Sequence, residues 1–243
     1  MRFFFLTVTS LFFTSAIAQP SLNDTSFFLV SIHNAISQYE SAVDRQRLFY
    51  NGSSYAQPES SGDSHPFFPS EDYIDATIQY DGNTFYRVPV LFDINSHLLI
   101  TDSPNGSQFV INPHKLEYFS IQDRYFKFFT NGDAASSLPS SAFYEILYHG
   151  NTRLLALYDK NIQEKITGRE IEIYFEERTR YFVLKNERYY SVRNKHSILK
   201  LFSNQKQALK SLIRKENINF KADKAQALAH VAELYDSLIE TGK

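Results

Sequence analysis

Seven histidines, no cysteine and no tryptophan limit the chemistry open to this 243-residue chain. The histidines are His33, His65, His97, His114, His149, His196 and His230. No two stand at i, i+2 or i, i+4, and HExxH is absent, so no strand or helix offers a ready pair of imidazole ligands. Without a thiolate to complete a tetrahedral set, a structural zinc site is not expected, and no cofactor is implied. His97, His114 and His149 each sit beside a predicted β-turn. Loops on a rigid sheet are where sites gather, so these three turn ends form the candidate surface. Three unrelated surface histidines are the plainer reading.

Nucleophilic catalysis is unmarked. GxSxG is absent, and Ser37, Ser107 and Ser120 stand in no elbow frame. A triad assembled from distant positions remains open, with no particular one nominated. Glycosidic hydrolysis needs two carboxylates flanking a bond. Glu170, Glu172 and Glu176 line one face of a predicted strand, and Glu145 lies on another. The neighbouring Arg178, Arg180 and Arg188 favour a solvated, charge-paired sheet face instead. Among eight glycines there is no phosphate-cradling loop, and Asn131-Gly132-Asp133 reads as a turn, not a calcium loop.

One stretch concentrates charge. Lys195, Lys200, Lys206, Lys210, Arg214, Lys215, Lys221 and Lys224 face only Glu216 and Asp223 between positions 195 and 224. That suits contact with an anionic membrane surface or an acidic partner. It equally suits a solvated outer helix face. The formal charge of −2 becomes −3 without Arg2, which gives no reason to expect nucleic acid as a partner.

The elements that position these residues are mostly strands. Residues 72–129 alternate Tyr, Phe, Val and Ile runs with Asp81-Gly82, Asn95-Ser96 and Asn105-Gly106, pairs that tolerate positive φ and reverse the chain. This predicts a β-meander. Tyr86, Val88, Val90, Phe92 and Ile94 read as its core face, and Pro89 as the mark of an edge or a bulge. Further hairpins are predicted over 142–158 and 178–192, with residues 160–169 as a polar connection. In 170–176, Ile171, Ile173 and Phe175 alternate with a wet face. Two helices, 197–215 and 222–240, form a C-terminal hairpin, and another is predicted over 27–47 with Ser26 as a cap. The fold expected is mainly β (α+β): an antiparallel meander, sandwich or partly closed barrel with an N-terminal helix and a C-terminal helical hairpin. The boundaries are 1–18 leader, 19–71 helix and loop, 72–194 β domain, and 195–243 helical hairpin.

The first twenty residues, MRFFFLTVTSLFFTSAIAQP, have the form of a secretory leader. Arg2 is the basic start, Phe3 to Phe13 the apolar centre, and Ala16-Ile17-Ala18 the small-residue site, so cleavage is expected between Ala18 and Gln19. No run reaches the roughly 20 apolar residues of a spanning helix. The lack of cysteine excludes a lipoprotein anchor.

The runs LFYNGSSY (48–55) and YDGNTFYRVPVLFDI (80–94), followed by a lysine-rich helical tail, resemble secreted β-rich proteins common in Bacteroidota. That resemblance implies the periplasm or cell envelope of a Gram-negative bacterium. The family carries no assigned activity, so it gives no residue a role. The function expected is an exported, non-catalytic binding or structural module whose partner is an envelope protein. The alternatives are a carrier of an apolar ligand in a curled sheet, and a hydrolase with unmarked catalytic residues.

Overall fold

The computed structural model describes residues 32, 52–103, 106–130, 137–167 and 170–241. The chain divides into two units, Met1–Arg45 and Gln46–Lys243. The leader, the Ala18–Gln19 cleavage site and the helix predicted over 27–47 lie outside the described residues, apart from Ile32, which is helical and exposed.

Within the second unit the strands are β1 (Phe67–Phe68), β2 (Ile74–Tyr80), β3 (Asn83–Asp93), β4 (Leu98–Asp102), β5 (Gln108–Val110), β6 (Leu116–Ile121), β7 (Arg124–Phe129), β8 (Ala142–His149), β9 (Arg153–Thr167), β10 (Glu170–Lys185) and β11 (Arg188–Val192). They pair in the order β11-β10-β9-β8-β7-β6-β2-β3-β4-β5, with β1 on β3. Every pairing is antiparallel. The fold is therefore mainly antiparallel β, as expected, and the sheet is open. Its turns carry the positive φ that matches strand twist: Asp81 at 51° with Gly82 at 77°, and Asn186 at 50° with Glu187 at 60°.

Two strands depart from the predicted pattern. Register slips between Ala76 and Ile78 opposite β3, where Arg87 adopts φ 53°. This bulge just before Pro89 flips the side-chain alternation, so Phe85 rather than Tyr86 joins Val88, Val90 and Phe92 in the core. Residues 160–167 are not a connection: they continue β9, paired with β10 from Thr167↔Glu170 inward. Their Asn, Gln, Glu and Lys have weak strand preference, and the ladder to β10 overrides it.

One sheet face carries two cores. On the concave part, Phe92, Phe119, Phe126 and Phe143 are essentially buried, with ring centroids 4.9 to 5.8 Å apart. Edge-to-face and stacked contacts of this kind add to plain area burial. Further along the same face, Leu154, Val183 and Val192 are covered by α1 (Lys195–Leu201), α2 (Lys206–Lys215) and α3 (Lys224–Thr241). Instead of the predicted two-helix hairpin, the first helix breaks at Phe202, which stacks on Tyr235 at 3.8 Å and leads into the short turn Ser203–Gln205. The opposite face of β8–β11 buries Tyr144, Leu155, Leu157 and Phe182 beneath Leu138. The sheet curls until Lys160 N donates to Ile94 O at 3.2 Å, the backbone tie between β9 and the end of β3.

Candidate interaction surface

The three turn histidines have separate surroundings. His97 Nε2 lies 3.1 Å from Asp159 Oδ1, at the place where the curl meets β9. His149 Nε2 lies 2.9 Å from Arg153 Nη2 at the β8–β9 turn. Arg153 and Asp159 are six residues apart on β9, about 20 Å along the strand. His114 is exposed, with its ring edge-on to Phe128 at 6.3 Å. They share no partner, and their turns do not form one cluster.

The buried carboxylates belong to the frame. Glu145 accepts Arg124 Nε at 2.9 Å, Arg124 Nη2 at 2.8 Å and Tyr158 OH at 2.6 Å. The register Phe126↔Glu145 makes this meeting possible, because Arg124 stands two residues from Phe126 on the same face. The Arg124 guanidinium also lies over the Phe68 and Tyr158 rings, 4.5 and 4.8 Å from their centroids. Burial and the Glu145 carboxylate push the Tyr158 hydroxyl well above its ordinary range. Asp159 takes Arg180 Nε and Nη2 at 3.0 and 2.7 Å, opposite His97. Burial would raise its carboxyl, but the hydrogen bonds from His97 and Arg180 outweigh that and hold it below the ordinary value. Asp93 accepts Tyr55 OH at 2.9 Å and the amides of Asn95 and Ser96 at 2.7 and 2.9 Å. Lys160 Nζ donates to the carbonyls of His65 and Phe67 at 3.1 and 2.7 Å, and burial lowers its pKa against the pull of Glu177 and Asp93. Asp236 joins α3 to the β8–β9 turn by accepting Thr152 N at 2.8 Å and Tyr148 OH at 3.1 Å. Burial, followed by the nearby Asp236 charge, pushes the Tyr148 hydroxyl up to about 12.

A seam between the two cores leaves adjoining pockets of about 420 and about 560 Å³ that share Leu147, Asp223, Gln226 and Ala229. Several of their charged groups are engaged. Glu145 is held by Arg124, His230 Nε2 meets Glu216 Oε2 at 2.8 Å, and Asp223 Oδ1 accepts Gln226 N at 2.9 Å at the start of α3. Among the described residues, no three His, Cys, Asp or Glu side chains are grouped so as to hold a metal ion. The spacing Ser197-Ile198-Leu199-Lys200 fits SxxK, but Ser197 Oγ is spent on the α1 cap, donating to Asn194 O at 2.8 Å.

What stands out from the frame is the outer part of the β9–β10 hairpin. β8 stops pairing with β9 at Glu145↔Ala156, and β11 reaches only Tyr181 on β10. Beyond those points, residues 160–167 and 170–177 run on as a two-stranded ribbon roughly 25 Å long. Cross-strand pairs Ile166↔Ile171, Glu164↔Ile173 and Ile162↔Phe175 share the face that carries Ala156 and Tyr158 further in. Ile162 is 45% exposed, Ile166 77% and Ile171 60%. The other face presents Glu170, Glu172 and Glu176, as the alternation predicted, but both faces are wet. The arm escaped sequence reasoning because 160–169 looked too polar for a strand. The signal that marked it is the alternation Lys160, Ile162, Glu164, Ile166 facing Ile171, Ile173, Phe175.

No family model, no curated protein and no solved structure matches the chain. Among the described residues, no helix is long and apolar enough to cross a membrane.

Proposed function

We propose that this protein is a non-catalytic binding module that engages a protein partner through the inner face of the β9–β10 arm. The observation that carries this reading is the exposure of Ile162, Ile166 and Ile171 on a ribbon that no further strand flanks among the described residues. A cluster of large apolar side chains left in water on a projecting ribbon marks a contact surface. The engagement of Glu145, Asp159, Asp93 and Asp236 by structural donors supports a non-catalytic role over a hydrolase. An apolar cargo within the curl would have to displace the four-phenylalanine cluster, which weighs against a carrier. The leader-like first eighteen residues and the absence of cysteine support export to a Gram-negative periplasm or envelope without a lipid anchor. On α2, Leu209 and Ile213 are buried while Lys210, Arg214 and Lys215 are exposed, which leaves the basic face free for weak contact with an anionic surface.

A photo-crosslinking residue placed at Ile166, and in a parallel strain at Gln163 on the opposite face, tests the arm in the native envelope. Crosslinks from position 166 and none from 163 are expected; crosslinks from neither, or equally from both, would overturn the reading. N-terminal sequencing of the envelope protein is expected to begin at Gln19, and an intact Met1 would overturn export by cleavage.

A further inference from the structure

We infer that the free edge of β9 takes up an extended strand of the partner, one that presents apolar, basic and apolar residues in alternation along the inner face. This rests on the reading of the arm as a contact surface and adds the chemistry of what binds there.

The backbone supplies the first part of the argument. In a ladder, successive residues direct their N–H and C=O to opposite sides. Lys160 N donates to Ile94 O, away from β10, so Ile162, Glu164 and Ile166 also direct their backbone groups away from β10. No strand meets them among the described residues. The other margin of the arm is covered at Ile173 and Phe175. Ile173 O accepts Ser61 N at 2.7 Å, Ile173 N donates to Ser61 Oγ at 3.0 Å, and Phe175 N donates to Ser64 Oγ at 2.8 Å. One edge of the ribbon is thus protected by its own loop, and the other presents an unpaired row of donors and acceptors beside exposed isoleucines. Such an edge is a template for strand addition: main-chain hydrogen bonds give affinity, and alternate side chains give selectivity.

The side chains supply the second part. Along the inner face the free edge reads Ile162, Glu164, Ile166, with Glu164 set in an apolar stripe opposite Ile173. An incoming antiparallel strand places one residue directly opposite each of these, close enough for charge to decide the pairing. A lysine or arginine facing Glu164, flanked by apolar residues facing Ile162 and Ile166, completes the pattern. A second copy of β9 fits badly. The register that sets Ile162 against Ile166 also sets Glu164 against Glu164, and like charges directly opposite destabilise a ladder. Glu164 thereby both selects a basic partner and discourages self-pairing.

The test uses the full chain and three seven-residue peptides. The first alternates threonine with valine, lysine and valine in turn; the second carries glutamate in place of lysine; the third is the first with N-methyl groups on the two valines and the lysine. Binding is read by fluorescence anisotropy, and hydrogen exchange is followed at the amides of Ile162, Glu164 and Ile166. The lysine peptide is expected to bind at least about fivefold more tightly than the glutamate peptide. N-methylation is expected to abolish binding, and the three amides to gain protection. Glu164→Lys is expected to reverse the preference and Glu164→Gln to erase it, both with unchanged circular dichroism. Failure of the lysine peptide to bind, binding that leaves the three amides unprotected, or tolerance of N-methylation would overturn strand addition. Crosslinks from position 166 in the envelope alongside any of those results would retain the arm as a contact surface that docks by side chains alone.

Discussion

β9 passes through two environments on one face. Its inner half sets Ala156 at 0% and Tyr158 at 8% exposure against the phenylalanine cluster, while its outer half leaves Ile162 at 45% and Ile166 at 77%. The strand geometry and the two-residue alternation are the same throughout. What differs is the cover: the curl of the sheet encloses the first half, and among the described residues no strand other than β10 flanks the second. Alternation of apolar residues marks a face, and only the tertiary neighbours decide whether that face becomes core or contact surface. The comparison also separates two uses of polar groups. Near the core, Glu145 is held by Arg124 and Tyr158, and Asp159 by Arg180 and His97. On the arm, Glu164 stands exposed among isoleucines, where a partner has access to it.

The largest expected effect comes from breaking the covered half. Phe126→Ala removes a fully buried ring that stacks on Phe119 at 4.9 Å, and is expected to cost about 3–5 kcal/mol in urea unfolding. Next is Glu145→Ala, which leaves the Arg124 guanidinium partly buried without its carboxylate, at an expected cost of about 3 kcal/mol. Replacing both partners by apolar residues of similar volume should recover much of that loss.

A smaller effect follows from the tie between the curl and β9. The folded Asp159 carboxyl titrates below its ordinary value, so its contribution is complete above about pH 4 and is lost as pH falls through that depressed value. Asp159→Asn should therefore lower stability at neutral pH and flatten the acid limb of a urea-midpoint series. An unchanged acid limb would remove Asp159 from the account. The smallest effect belongs to the arm: Ile166→Ala should shift stability by no more than about 0.5 kcal/mol, because the side chain is mostly in water already. A loss of several kcal/mol there would show that the outer half is core after all.

Much of the meander was legible because its turns announce themselves: Asp81-Gly82 adopts the positive φ that its residue types suggested, whereas between β3 and β4 the positive φ falls on His97 and not on Asn95-Ser96. The core face of β3 was legible only in part, since the bulge at Arg87 reverses the alternation and promotes Phe85. The helical tail was visible, but its break at Phe202 depends on a stacking partner, Tyr235, far along the chain. The site was harder still. Arg124 and Glu145 meet through a strand register that no local pattern encodes. The arm lay hidden in residues 160–167, whose polarity suits a strand only where β10 holds it. His97 and His114 stand in turns and His149 ends β8 beside one, yet turn position alone does not bring side chains together.

Carbene footprinting of the same molecule in two settings tests the central contrast most directly. In purified full-length protein, residues 162–175 of the arm should label heavily and the Phe92–Phe119–Phe126–Phe143 cluster should not. In the intact envelope the arm should become protected at Ile162, Ile166 and Ile171 while the outer-face Glu172 stays as it was. Equal labelling of the arm in both settings would contradict the account and leave the exposed isoleucines without a partner.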